Sequence, residues 1–534
     1  MAPRVPKLAV NVTPRLNAQN MLRIFLSLAA LTGFLIPSMA SADPADINAA
    51  ARGVVRVVIV GTDGTELFPV SHGSGFAISP TRIVTNAHVV RGAIQDDTLR
   101  IGIVPSEGND SAYAKIISVS PRNDLALVEI IGALRLPPLT IAGGGARDSG
   151  EVSAVGYPMN VDRAQGLNID DIFNSQPPVK SRGFLSGARP SRQFHTILHT
   201  APIARGNSGG PLLDACGRVL GVNSFGASSD GSDAEFYFAV SNRELVPFLQ
   251  ANEVDAPVNA RPCRSLADVD EAERLRIERE QTAARADLSA RAEESRAKRE
   301  RVQLESEQAV QEDRENVMAL AFLLVLLGTG AGMAAWQAKV TGGEGGERKL
   351  MIAGTIAAAA LVAALALWFT RPGLDAIDRR VNAAMAPDDN QSDDPVASAS
   401  GGMLICTLQF DRSRITGVPD EVMEFEWAED GCVNSRTQYG YSGGEWSRIF
   451  VPNQEDAVSI NAYDPDSNIF RTERFLLSRN AMAIAREARG KYTPPSCGGD
   501  GAASKLGDLQ GAVTAMLPDR PNERLVYSCQ LKGE

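Results

Sequence analysis

Residues 53–250 alternate short runs of β-branched and apolar residues with clusters of Gly, Asn, Asp and Pro. Runs at 53–60, 75–78, 82–85 and 125–130 have strand length and are bounded by turn formers, a pattern that predicts an all-β domain rather than βαβ units. Residues 242–252 read as a closing helix. From 265 to 316 the pattern changes to Ala, Arg, Glu and Gln without Gly or Pro. Acidic-first pairs four apart, Asp270/Arg274, Asp287/Arg291 and Glu294/Lys298, predict a solvated helix. Its apolar positions, Leu275, Ile277, Leu288, Val302 and Leu304, are too sparse for a firm heptad. A helical stalk of about 80 Å is the favoured reading, and a homo-oligomer paired through the stalk is the alternative.

Two uncharged apolar runs follow, at 317–336 and 351–369, each close to the length that crosses a ~30 Å hydrocarbon core. They predict a transmembrane hairpin. The loop between them carries Lys339, Arg348 and Lys349, which favours the cytoplasmic side. Near the amino terminus, a short apolar stretch after basic residues ends in Ala40-Ser41-Ala42. This reads as a secretory signal peptide with Asp43 as the mature start and Met21 as a candidate initiator. Residues 43–316 and everything after Phe369 are then expected on the exported side of the membrane.

Residues 376–402, with their run of Asp, Asn and Ser, read as an acidic linker. Beyond them lies a separate small β-rich domain, with strands expected at 404–410, 423–427, 458–463 and 525–529 and one helix near 479–489. No chemical motif is visible in it. The six cysteines are an even set without a C-x-x-C pair, two in the first half and four in the last third. That split suits bridges within two oxidised domains, with Cys216–Cys263 as the first expected pair.

A formal net charge of −11 and the lack of a basic stripe argue against a nucleic-acid partner. His72, His195 and His199 sit in no metal-ligand pattern, so neither a metal nor a cofactor is expected. The chemistry is concentrated elsewhere. Ser208 stands within Gly-Asn-Ser-Gly-Gly-Pro (206–211), His88 within Thr-Asn-Ala-His-Val-Val, and Asp124 within Asn-Asp-Leu-Ala-Leu-Val. A serine hydroxyl needs a base to take its proton, and the base needs an acid to orient it and stabilise its charge. Singly, each residue reads as structural; it is their joint occurrence that points to nucleophilic catalysis.

Together with Gly-Ser-Gly-Phe-Ala-Ile (73–78), these blocks resemble the chymotrypsin-fold serine endopeptidases, nearest to the bacterial HtrA/Deg type, over roughly residues 53–250. The resemblance implies two six-stranded β-barrels. It also implies Ser208 as nucleophile, His88 as general base and Asp124 as its orienting acid, with the Gly206 and Ser208 N–H groups as oxyanion hole. By the same resemblance Pro202 helps form the floor of the primary pocket, and Asn223, Ser224, Phe225 and the 236–240 run with Phe238 line the cleft. The absence of an acidic residue between Thr200 and Ser208 disfavours a preference for Lys or Arg and suggests small or medium apolar side chains. No PDZ-like segment follows the protease, so cage assembly is not carried over. The loop 160–192 is placed to cover or distort the site.

The expected organisation is a signal peptide (1–42), a trypsin-like protease domain (43–263), a charged stalk (264–316) and a transmembrane helix (317–336). A cytoplasmic loop (337–350), a second span (351–369), a linker (370–402) and the disulfide-containing domain (403–534) complete it. The function expected is a membrane-tethered serine endopeptidase of the bacterial inner membrane. It would cleave periplasmic proteins in quality control or regulated proteolysis, with protein or peptide substrates and the bilayer as its partners. The alternative is an envelope sensor or binding protein built on a protease-fold scaffold.

Overall fold

The first run, Val-Val-Arg-Val-Val-Ile-Val at 54–60, is apolar at almost every position because both faces of its strand are buried. Strand β1 (Val54–Thr62) lies in a closed barrel with β2 (Leu67–Ala77), β3 (Arg82–Thr85), β4 (Arg100–Pro105), β5 (Ala112–Ser120) and β6 (Leu125–Ile131), in the order β1-β2-β3-β6-β5-β4. Val55, Val57 and Ile59 fill the barrel interior, while Val54 and Val58 turn outward to other apolar clusters. The structure, a computed structural model, describes residues 44–144, 150–168, 170–190, 194–226, 235–341, 346–373, 375–385 and 401–533. The expected signal peptide and most of the acidic linker lie outside the described residues.

A two-residue strand, β7 (Ile141–Ala142), leads into the second sheet. There β8 (Glu151–Gly156), β9 (Val179–Pro190), β10 (His195–His199), β11 (Pro211–Leu213), β12 (Val219–Gly226) and β13 (Tyr237–Ser241) close on themselves through the pairings β11–β8 and β11–β12. β7 and β14 (Val258–Asn259) extend the β12 edge, which makes eight strands in the sheet. The all-β reading holds for these two barrels but not for the chain, which also includes a 76-residue helix and a 25-residue helix. Strand β2 starts well before the expected run at 75–78, and Gly73 and Gly75 within it weaken its local strand signal. A Cβ at Gly73 would stand 2.7 Å from Val89, and one at Gly75 2.8 Å from Ile83.

A third sheet of nine antiparallel strands forms from β15 (Gly402–Leu408), β16 (Val422–Trp427), β17 (Cys432–Val433), β18 (Thr437–Gln438), β19 (Gly440–Ser442), β20 (Glu445–Phe450), β21 (Ala457–Asp464), β22 (Ile469–Leu476) and β23 (Glu523–Leu531). One face packs Phe425, Trp427, Tyr439, Tyr463, Phe470 and Tyr527 into an aromatic core. Helix Arg479–Gly490 covers a second cluster that also holds Val513 of helix Ala502–Thr514. Disulfides join Cys216 to Cys263, Cys406 to Cys529 and Cys432 to Cys497. The first is the pair expected from the sequence; the second links register partners on β15 and β23.

The described residues from 44 to 273 and from 401 to 533 form one compact unit, and those from 274 to 385 form another. Within the first, a buried ion pair crosses a very long stretch of chain. Asp46, on the short helix Pro44–Ala51, is 3% exposed and meets the Arg414 guanidinium, itself 2% exposed. Asn522 Nδ2 also donates to Asp46 (2.9 Å), and Arg414 Nε donates to the Arg264 carbonyl (3.0 Å). Asp270, expected to pair along its own helix, is instead bonded by Arg524 of β23.

In the second unit the stalk and the first apolar run are one uninterrupted helix, Leu266–Thr341, which begins in the first unit. Helix Gly346–Thr370 carries the second run. Both are long and apolar enough to cross a membrane, and only 11% of either apolar window is buried. A core helix of a soluble domain hides such a surface; here Phe322, Leu327, Val362 and Phe369 face outward.

Removing one partner of a buried pair leaves the other charge uncompensated, at a cost of about 3–5 kcal/mol. Arg414→Ala is therefore expected to lower the denaturation midpoint of both barrels and the third sheet together. Urea titration followed by tryptophan fluorescence, which reports on the third sheet through Trp427 and Trp446, and by pulse proteolysis with mass-spectrometric mapping of barrel peptides, measures this. A loss below about 1 kcal/mol contradicts the assignment.

Candidate active site

The turn that carries Ser208, residues 205–210, is held against the first barrel by one serine. Ser74 N–H donates to the Ser208 carbonyl (2.8 Å) and Ser74 Oγ donates to the Gly206 carbonyl (2.7 Å). The same Oγ accepts from Tyr157 N–H (2.9 Å), and the Ser74 carbonyl accepts from Thr85 Oγ1 (2.7 Å). The turn leaves no space for side chains. Gly206 and Gly209 have φ of 102° and 88°, and their Cβ atoms would stand 2.2 Å from the Tyr157 carbonyl and 2.1 Å from the Ser74 carbonyl. Only glycine satisfies both demands.

His88 lies in the first turn of helix Ala87–Gln95, and Asp124 precedes β6. His88 Nδ1 is 2.9 Å from Asp124 Oδ2 and 3.0 Å from Oδ1, and His88 N–H donates to Oδ1 at 3.1 Å. Asp124 has φ of 53°, an uncommon conformation for a non-glycine residue. Asn86 Nδ2 donates to its carbonyl (2.8 Å) and so helps hold it there. Burial works to raise the Asp124 pKa, but the hydrogen bonds and charge of His88, with the Ser224 hydroxyl, bring it below the usual carboxylate value. The acid is thus kept ionised beside the imidazole.

Ser208 Oγ donates to the Ser224 carbonyl at 2.9 Å, and no hydrogen bond joins it to His88. In this arrangement the acid and base are bonded to each other while the hydroxyl is turned aside. Catalytic hydrogen bonds are often loose without substrate, and rotation about one side-chain torsion redirects the hydroxyl. Among the described residues, no protein acceptor takes the N–H of Gly206 or of Ser208, so both donors are available to an oxyanion.

The expected cleft residues separate into two groups. Phe225 and Phe238 stack at 4.9 Å, with Phe225 46% exposed, and Pro202 is also exposed. Asn223 is fully buried, and its Nδ2 donates to the Pro211 carbonyl (2.9 Å), holding β12 to β11. The Ser224 hydroxyl donates to Asp124 Oδ2 at 2.6 Å. Ser74, Thr85, Asn86 and Tyr157 were not marked as site residues in the sequence. The Gly73-Ser74-Gly75 block was the signal available for the first of them.

Residues 73–222 match the family described as trypsin-like peptidase domain. Serine protease Rv3671c of Mycobacterium tuberculosis is 33% identical over 238 residues, covering 42% of this chain and 54% of that protein. Mitochondrial serine protease HTRA2 of Bos taurus is 32% identical over 212 residues, covering 39% and 42%. A probable periplasmic serine endoprotease, DegP-like, of Brucella suis is 34% identical over 175 residues, covering 32% and 31%. The chain spans about half the length, or less, of these curated relatives. A crystal structure of the Rv3671c protease in its active form aligns with a TM-score of 0.31 at 28% identity, covering 43% of this chain and 96% of that one.

Two buried histidines give the unit a pH dependence. Burial pushes His72 and His199 down to about 4 from 6.5, with the Arg56 charge adding to the effect on His72. Their unfolded forms take up protons that the native forms refuse, so their contribution to stability is whole above about pH 6.5 and fades as pH falls towards 4. Each is worth on the order of 3 kcal/mol. Urea midpoints should fall between pH 6.5 and 4.5, with the slope reduced in His72→Gln; a midpoint unchanged across that range contradicts it.

Proposed function

We propose, from the match of residues 73–222 to the trypsin-like peptidase domain family, that the chain is a serine endopeptidase that cleaves proteins through Ser208, His88 and Asp124. The observation that carries this reading is the His88–Asp124 pair beside a glycine turn whose Gly206 and Ser208 N–H groups have no protein acceptor. In the reaction, Ser208 Oγ attacks the scissile carbonyl and His88 takes its proton. The Gly206 and Ser208 N–H groups then stabilise the oxyanion. His88 next protonates the leaving amine, and water hydrolyses the acyl-enzyme by the same route. Phe225 and Phe238, with Pro202, support a preference for small or medium apolar side chains before the cleaved bond.

The proposed organisation follows the expected boundaries: a signal peptide at 1–42, protease at 43–263, stalk at 264–316, spans at 317–336 and 351–369 joined by a cytoplasmic loop at 337–350, linker at 370–402 and third domain at 403–534. The interlock of residues 44–273 with 401–533 supports an even number of membrane crossings between them, because both must fold in one compartment. Three disulfides support an oxidising one. We therefore assign both to the periplasmic face of a bacterial inner membrane, where substrates would be periplasmic proteins. Exposed Leu275, Leu288 and Leu304 are where a second copy would pair along the stalk.

The hydrogen bond from Ser208 to the Ser224 carbonyl favours a second reading, in which the site rests and the fold serves as an envelope sensor or binding scaffold. One experiment separates the two. Full-length protein in detergent micelles is expected to react with a fluorophosphonate probe at Ser208, and Ser208→Ala is expected to abolish that label. Peptide hydrolysis should fall on the order of 10⁶-fold in the same variant. Wild type that neither labels nor hydrolyses peptides supports the scaffold reading.

A further inference from the structure

Arg56 is 1% exposed, yet it lies in the middle of an otherwise apolar strand. Its guanidinium points out of the first barrel into the connection between β8 and β9 and meets it at three places. Nη2 bonds Asp162 Oδ1 (3.0 Å), Nη1 donates to the Ile172 carbonyl (3.1 Å), and the planar group lies 4.7 Å from the centre of the Tyr157 ring. Ile172 and Phe173 pack beside it on Val58, Val60 and Val104. Burying a guanidinium costs several kcal/mol, and a well-packed apolar residue of similar volume is often as stable or more so. Bulk stability alone does not explain an arginine here.

The connection that Arg56 gathers touches the proposed oxyanion hole. Asp162 sits in the short helix Met159–Ala164, whose first residue donates its N–H to the Arg205 carbonyl at 2.7 Å. That carbonyl and the Gly206 N–H belong to one peptide unit. In a trans peptide the two point in opposite directions, so fixing the Arg205 oxygen fixes the aim of the Gly206 hydrogen. On the other side, Tyr157, under the guanidinium, donates its N–H to Ser74 Oγ, which in turn donates to the Gly206 carbonyl. The space around Gly206 is closed: a Cβ there would meet the Tyr157 carbonyl at 2.2 Å, Met159 N at 3.0 Å and His72 Cε1 at 3.2 Å. His72 completes the packing, its Nε2 3.4 Å from Asp162 Oδ2.

We propose that Arg56, paired with Asp162, is a positioning residue for catalysis: it clamps the 157–176 connection so that Met159 holds the Arg205–Gly206 peptide with its N–H directed at the oxyanion. The proposal rests on the peptidase reading and deepens it. Arg56 touches no substrate; it acts through Met159 and Tyr157. The consequence is that the first barrel, which carries His88 and Asp124, also governs a donor that belongs to the second.

Two variants test it on the full-length protein in detergent micelles. Met159→Pro removes the N–H that grips Arg205 at a helix-start position where proline is tolerated, and Pro158 before it is already extended (φ −74°, ψ 124°). Arg56→Met keeps most of the volume and deletes the clamp. With peptide anilides carrying Ala, Val or Leu before the cleaved bond, both are expected to lower kcat by roughly 10²-fold while KM stays within about threefold. Arg56→Lys should recover part of the loss. Hydrogen exchange read by mass spectrometry should quicken in Arg56→Met at 157–176 and 203–210 but not at 112–131. Met159→Pro with wild-type kcat, or Arg56→Met with unchanged exchange at 203–210, overturns the proposal. Wild type that fails to label at Ser208 sinks the peptidase reading instead, and the exchange measurement still decides whether Arg56 controls the turn.

Discussion

The hydrogen bonding of Ser74 is the constraint on which the site depends. His88 and Asp124 stand on the first barrel and Ser208 on the second, and the chain that joins the two bodies does not by itself fix how they face each other. Ser74 does so with its N–H, its hydroxyl and its carbonyl, reaching Ser208, Gly206, Tyr157 and Thr85. The bonds are short because the opposing turn carries glycine where any side chain would strike a carbonyl. Composition at 206–210 and hydrogen bonding at 74 are therefore one requirement seen from two sides.

The same logic of long-range fastening recurs at the other end of the first unit. Asp46, Arg414 and Asn522 form a buried cluster beside the Cys216–Cys263 bridge, with Arg414 Nη2 3.9 Å from Cys216 Sγ. Around it Arg261 lies over the Phe410 ring, and Arg412 pairs with Glu273 at 2.9 Å. The third sheet is thus bonded to the barrels and to the first turns of the long helix. It is structurally a part of the body that holds the site.

Much of this was legible in the sequence, and the remainder was hidden for physical reasons. The motif blocks marked His88, Asp124 and Ser208 because their chemistry requires fixed neighbours, and the strand pattern marked the barrels because alternation and turn residues are local signals. Ser224 was read as a cleft residue; its hydroxyl bonds Asp124, a contact 100 residues away that no local pattern encodes. Helix Ala502–Thr514 carries Gly507 and Gly511, which weaken its local helix signal. In the fold Gly507 lets the helix approach β19, where a Cβ would stand 2.7 Å from the Tyr441 carbonyl. Arg56 and Asp46 were invisible for the same reason as Ser224: each is meaningful only through a partner distant along the chain.

The reach of the Asp46 contacts bears on how the molecule is made. Its partners lie 368 and 476 residues downstream. At about 5–20 residues per second of synthesis, the chain grows for roughly half a minute to a minute and a half before Asn522 exists to meet it. Until then Asp46 goes without two of the groups it meets in the folded unit, while Ile47 and Ala51 of the same helix already have barrel residues to pack on. The buried cluster at Asp46 is therefore completed only once the chain has been made as far as Asn522, well after both barrels.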